Sequence, residues 1–175
     1  YETFTNSITN SAFYSKEVLA TAARMMNSLS SELDILRPAM IQSALQVIAH
    51  NQNRKNNNLR CFEFGKIYNH SNNQFGETRK LCVYITGNSE QSWRSKSVQT
   101  DLFQLKGIME NLLNFAGIST TSFQTTNQPG YVNASVILIK KQELGFMAEA
   151  GQALLKTFDI KQPVYYAEIN WDLML

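Results

Sequence analysis

The stretch Leu59-Arg60-Cys61-Phe62-Glu63-Phe64-Gly65-Lys66-Ile67-Tyr68 is separated by the polar run Asn69 to Gly76 from a second apolar stretch, Lys80 to Thr86. Aromatic and branched side chains suit both flanks to a pleated surface. A turn-forming link between two such runs is a hairpin, so the chain is committed to an antiparallel sheet. The same logic predicts a second hairpin, Ala134 to Ile139 with Leu144 to Ala148, across Lys140-Lys141-Gln142-Glu143. A Thr-rich strand at Ser122 to Thr126, an opening strand at Tyr1 to Thr5 and a closing strand at Val164 to Ile169 complete the set.

Helices are interposed singly between these strands. Asp101 is placed to cap a helix whose Leu102, Leu105, Met109, Leu112 and Ala116 keep three-and-four spacing, and Gly117 stands where a helix stops. Gly107 within it costs about 1 kcal/mol relative to alanine. Pro38 suits a first helical turn, and Met40, Ile41, Ala44, Leu45 and Ile48 then share one face to about Asn51. The asparagine-rich run Asn51 to Asn58 is too turn-prone to continue that helix. Val18, Leu19, Ala22 and Met26 predict a short helix over Lys16 to Met26, Ser28 to Glu32 a loop, and Leu154, Leu155 and Phe158 a last short helix. The pattern is that of the α+β class, one domain over residues 1–175. Because the chain begins at Tyr1 and ends on Trp171-Asp172-Leu173-Met174-Leu175, it reads as a fragment of a longer subunit.

The chemistry is sparse. No GxxxxGK[ST], GxGxxG, HExxH or GxSxG pattern occurs, which excludes the common loop-based phosphate, metal and nucleophile sites. A net charge of +2 is too small for a nucleic-acid coat, so any RNA contact is local, with Arg54, Lys55 and Arg60 as candidates. The two cysteines, Cys61 and Cys82, form no ligand set and read as reduced core thiols. His50 and His70 lie far apart among asparagines and read as solvent-facing side chains. Glu63 and Glu168 fall inside strand patterns. Each is either a structural or outward-facing acid, Glu63 pairing with Arg60 or Lys66, or a ligand for a cation or substrate amine. No apolar run approaches a membrane span, and the chain is expected in the cytoplasm.

Three blocks carry a family resemblance. Leu29 to Pro38, with the helix to Arg54 and then Arg60-Cys61-Phe62-Glu63-Phe64-Gly65-Lys66-Ile67-Tyr68, resembles the bacterial phenylalanyl-tRNA synthetase beta-subunit family. Asp101-Leu102-Phe103-Gln104-Leu105-Lys106-Gly107-Ile108-Met109-Glu110 is similar to its next block. Lys156 to Ile160 with Pro163 to Ile169 is similar to its closing one. The chain departs from that family at Gln128-Pro129-Gly130-Tyr131 and at Ala148-Glu149-Ala150-Gly151-Gln152, where the family's His-Pro-Gly-Arg-like and Gly-Glu-x-His-Pro-like segments stand.

The resemblance implies a class II aminoacyl-tRNA synthetase-like antiparallel β-sheet flanked by helices, a catalytic-like core module near the C-terminal part of the subunit. It implies a heterotetrameric partnership with a catalytic alpha subunit and contact with phenylalanine tRNA through the complex. ATP and magnesium serve the parent complex, and no cofactor, metal or catalytic residue is expected in this fragment. In the related catalytic subunit an arginine closes the strand that here reads Gly65-Lys66-Ile67-Tyr68-Asn69, and a Gly-x-Gly-x-x-x-Arg motif falls where Tyr166 to Asp172 stands. Asparagine cannot form the bidentate phosphate contact an arginine makes. The expected role is a non-catalytic assembly module, with Pro38, Met40, Ile41, Leu45, Leu105 and Met109 as candidate partner-facing residues if their helices do not turn them to their own core. The alternatives are an active class II enzyme, with Glu63 and Glu168 as magnesium ligands, and a stand-alone RNA-binding module.

Overall fold

A computed structural model of the chain describes residues 1–28, 30, 32–71, 74–89, 93 and 96–174. Parts of the expected loops at 28–32 and 87–99, the centre of the expected turn at 69–76, and Leu175 lie outside the described residues. The elements in chain order are β1 (Ile8–Thr9), α1 (Lys16–Leu19), β2 (Ile35–Leu36), α2 (Ile41–Gln52), β3 (Leu59–Ser71), β4 (Gln74–Thr86), α3 (Leu102–Phe115), β5 (Thr121–Thr125), β6 (Tyr131–Ile139), β7 (Gln142–Ala150), α4 (Gln152–Thr157) and β8 (Val164–Asn170). Strands β3 to β8 form one six-stranded sheet in the order β3-β4-β8-β7-β6-β5, and every neighbouring pair is antiparallel.

The closing strand β8 lies between the two hairpins. Both of its neighbours are supplied by other segments, which makes β8 and residues 81–86 of β4 central and buried on both faces. In β4 the alternation splits the side chains: Cys82 and Tyr84 enter the core beneath α2 and α4, while Leu81, Val83 and Ile85 enter the core beneath α3. Helix α2 inserts Met40, Ile41, Ala44, Leu45 and Ile48 into the first core, and α3 inserts Leu105, Met109 and Leu113 into the second. Burying each Leu, Ile or Met of this set contributes about 1.5–3 kcal/mol. The expected antiparallel sheet flanked by helices, in the α+β class, is therefore the observed architecture.

Several local expectations change. Helix α1 is a single turn, because Ala22 and Ala23 are buried by the extended segment that follows it: Arg24 pairs with Ile35, and the Leu36 amide donates to the Ala23 carbonyl. Met26 is fully exposed. Helix α2 starts at Ile41, three residues after Pro38. The hairpin of β3 and β4 continues to Ser71 and Gln74, so Asn69, His70, Phe75 and Gly76 are strand residues, with His70 stacked on Phe75 at 4.5 Å. Backbone pairing extends the strands past the apolar part of each. The opening residues form no regular strand. They lie along the outer edge of β3, where the Phe62 amide donates to the Tyr1 carbonyl and the Thr3 amide to the Phe62 carbonyl. The second hairpin turns on two residues rather than four: Ile139 pairs with Gln142, and Lys140 and Lys141 both take positive φ, 48° and 72°. Among the described residues no helix is long and apolar enough to cross a membrane.

Candidate functional site

The buried charged side chains among the described residues, Arg37, Glu63 and Glu168, collect on the α2 face of β3, β4 and β8. Strand register sets Glu63 opposite Cys82 and Cys82 opposite Glu168, so two carboxylates flank one thiol across three strands. All three are buried. A buried carboxylate is costly without a partner, and each has one.

Glu63 is paired with Arg37 rather than with Arg60 or Lys66. Arg37 ends the segment that leads into α2, and its side chain crosses the sheet to Glu63, Nη1 to Oε1 at 2.9 Å, with only 2% and 3% of the two side chains exposed. Its Nε donates to the Lys66 carbonyl at 2.8 Å and Nη1 to the Thr5 hydroxyl at 2.6 Å. Thr5 in turn donates to Glu63 at 2.8 Å. Gly65 makes room for this: a Cβ there would stand 2.2 Å from Arg37 Nη2 and 2.5 Å from Met40 Cε. The Leu36-Arg37-Pro38 block and the Glu63-Phe64-Gly65 block are thus two halves of one lock.

Glu168 is held by Lys80 at 3.3 Å and accepts a hydrogen bond from the Tyr166 hydroxyl at 2.6 Å. Burial, and then the charge of Glu168, push the Tyr131 and Tyr166 phenols far above their ordinary range. Burial, followed by the charges of Glu63 and Glu168, likewise pushes the Cys82 thiol well up. It is a neutral core thiol rather than a nucleophile. Cys61 is also buried and unbridged.

Arg79 and Arg60 do not supply a phosphate clamp to this face. Arg79 on β4 is tied to Asp172 in the turn after β8, and Arg60 is exposed on the first residues of β3. Asn69 lies on β3 opposite Gly76. Among the described residues no group of His, Cys, Asp or Glu converges in a way that could hold a metal ion.

Of the residues singled out from the sequence, Met40, Ile41, Leu45, Leu105 and Met109 are all within 3% of full burial in the chain's own cores, and Pro38 is half-buried. The apolar faces of α2 and α3 are thus occupied by the sheet. Arg54 and Lys55 are exposed just past α2, on the same side chain terrain as the asparagine run. His50 is exposed at the end of α2. Exposed apolar side chains sit elsewhere, at Phe4, Phe75 and Phe103. A groove of about 390 Å³ beside α3, walled by Phe62, Phe64, Val83, Ile108 and Leu112, is almost wholly apolar. Arg37 escaped the sequence reading as a partner because it lies 26 positions from Glu63. The available signal was a strand glutamate on the buried side of the alternation followed two residues later by a glycine.

The family model described as the phenylalanyl tRNA synthetase beta chain CLM domain matches residues 1–171. The chain is 30% identical over 190 residues to a phenylalanine–tRNA ligase beta subunit of Porphyromonas gingivalis, covering 99% of this chain and 23% of the relative. It is 27% identical over 152 residues to that of Thermotoga maritima, covering 86% and 19%. Its fold is similar to the pyrrolysyl-tRNA synthetase of Desulfitobacterium hafniense, with a TM-score of 0.76 at 16% identity, covering 99% of this chain and 61% of that one. The chain thus spans about a quarter or less of the curated relatives it matches.

Proposed function

Because the chain belongs to the family of the phenylalanyl tRNA synthetase beta chain CLM domain, we propose that it is a non-catalytic assembly module. In this reading it packs against a catalytic alpha subunit and supports ATP-dependent attachment of phenylalanine to its tRNA, a reaction carried out by the cytoplasmic complex. One observation carries the proposal: Arg37, Lys80 and Arg79, cations at the synthetase-like sheet, are each neutralised from within. Among the described residues Arg37 is the arginine that reaches over this face, and it is locked to Glu63. Lys80 is held by Glu168, and Arg79 by Asp172.

Adenylate formation spreads negative charge over a phosphate in flight, and catalysis needs preorganised positive groups that are not already matched. Asn69, where the related catalytic strand carries arginine, adds no charge. Glu63 and Glu168 are equally unsuited to hold magnesium, since each is already bound by a cation. ATP and magnesium then belong to the partner's site, and no cofactor is expected in this module. A contact with tRNA through Arg54, Lys55 or Arg60 remains part of the proposal, because all three are exposed.

The partner surface must come from residues that the cores leave exposed, which turns attention from α2 and α3 inner faces to the apolar groove and the exposed phenylalanines. The test is co-expression with a matching alpha subunit. Stable co-elution at micromolar concentration is expected, and separate elution of the two chains refutes the assembly role.

A further inference from the structure

On the sheet face opposite the Arg37 lock, a second cleft of about 650 Å³ opens between the start of α3 and strands β5 to β8. That volume lies in the range of about 300–1,000 Å³ typical of small-ligand sites. Its walls are the rings of Phe103, Phe123 and Tyr165, and Met147 contributes to its lining. Two carboxylates enter it from different elements, Asp101 at the start of α3 and Glu149 on β7. Both act on the Tyr165 phenol, which burial and then the charges of Glu149 and Asp101 push upward.

Among the described residues neither carboxylate has a cation. Asp101 accepts the Gln104 amide at 2.8 Å as the helix cap, and Glu149 has the Asn133 side-chain amide at 3.5 Å. Among the described residues no lysine or arginine pairs with either. The one described cation lining the cleft, Lys106, is already matched: it lies 3.7 Å from Glu110 and 4.9 Å above the Phe123 ring. That contact also shows an aromatic wall of this cleft receiving an ammonium group, an attraction that strengthens as water is excluded.

We propose that this cleft binds small organic cations, protonated amines carried on a flat apolar body, with the ammonium between Asp101 and Glu149 and the body against Phe103 and Tyr165. The site shares Phe103 with the exposed phenylalanines considered above for assembly, but the proposal does not depend on that role. Three probes of one shape and different charge decide the matter: benzylamine, benzyl alcohol and benzoate, titrated into the isotope-labelled chain at neutral pH and followed by amide chemical shifts.

Benzylamine is expected to move the amides around Asp101, Asn133, Glu149 and Tyr165 in a saturable way at millimolar concentration. Benzyl alcohol should bind about tenfold more weakly, and benzoate more weakly still. Glu149→Gln should weaken benzylamine about tenfold while leaving benzyl alcohol unchanged. Asp101→Asn, which keeps a good helix cap, should act in the same direction. The shifts of amides remote from the cleft report whether each variant keeps its fold. Equal binding of amine and alcohol, shifts centred elsewhere, or no saturable binding of benzylamine overturns the proposal.

Discussion

Replacing Glu63 by glutamine keeps the size of the side chain and removes its charge, leaving the Arg37 guanidinium buried with two neutral acceptors, the Lys66 carbonyl and the Thr5 hydroxyl. Breaking a buried ion pair from one side costs about 3–5 kcal/mol, because the remaining charge is uncompensated. The two surviving hydrogen bonds put Glu63→Gln near the lower end, about 3 kcal/mol. That is a large share of the about 5–15 kcal/mol that holds a typical domain together. At about 2–4 °C per kcal/mol for a domain of this size, the melting temperature should fall by roughly 6–12 °C. Urea unfolding followed by circular dichroism measures the loss directly. The double variant Arg37→Met with Glu63→Leu removes both charges and should recover most of it. If Glu63→Gln costs under about 1 kcal/mol, as exposed ion pairs do, then the lock between the two sequence blocks is not what holds Arg37 in place.

Further outcomes follow from other parts of the sheet. Gly145→Ala would set a Cβ 2.0 Å from the Glu168 carbonyl oxygen, which is backbone and cannot step aside; overpacking of this kind costs about 1–3 kcal/mol or more, read as a lower urea midpoint, and an unchanged midpoint contradicts the close approach of β7 to β8. Lys140→Asn with Lys141→Gly relieves two side chains held at positive φ in a two-residue turn, and should raise stability by about 1–2 kcal/mol in the same assay. Tyr14 is pushed by burial from an ordinary 10.0 to about 12, and Tyr84, Tyr131 and Tyr166 are pushed further in the same direction. A raised folded-state value means that the unfolded chain loses the proton first, so this stability is complete below pH 10.0 and is lost as pH rises through the folded values. Absorbance of phenolate against pH should therefore show a cooperative late phase that coincides with unfolding.

What the sequence made legible was local. The helix from Leu102 to Phe115 could be read residue by residue, because Asp101 caps it through its own side chain and Gly117 ends it at φ 81°. The strands of both hairpins were legible for the same reason, as alternation and turn chemistry within a short window. Where tertiary contacts decided, the reading failed. Val18, Leu19, Ala22 and Met26 mimic a helical stripe, yet the pairing of Arg24 with Ile35 draws that segment out. The face shared by Met40, Ile41 and Leu45 is visible in the sequence, but whether it meets a partner or its own sheet depends on β4 and β8, which come from distant parts of the chain. At the charged site, Glu63 and Glu168 were recognisable as strand acids in need of partners. Their actual partners, Arg37 and Lys80, are set by the crossing of α2's lead-in over Gly65 and by the register of β8 against β4, neither of which is a local property.

Arg37 and Lys80, set against a synthetase-shaped sheet, are spent on the chain's own carboxylates Glu63 and Glu168. Phenylalanine-dependent exchange of pyrophosphate into ATP by the purified chain tests it most directly. No exchange above background is the predicted result at any magnesium concentration. Steady exchange abolished by Arg37→Met or Lys80→Met would show that these groups serve the nucleotide after all.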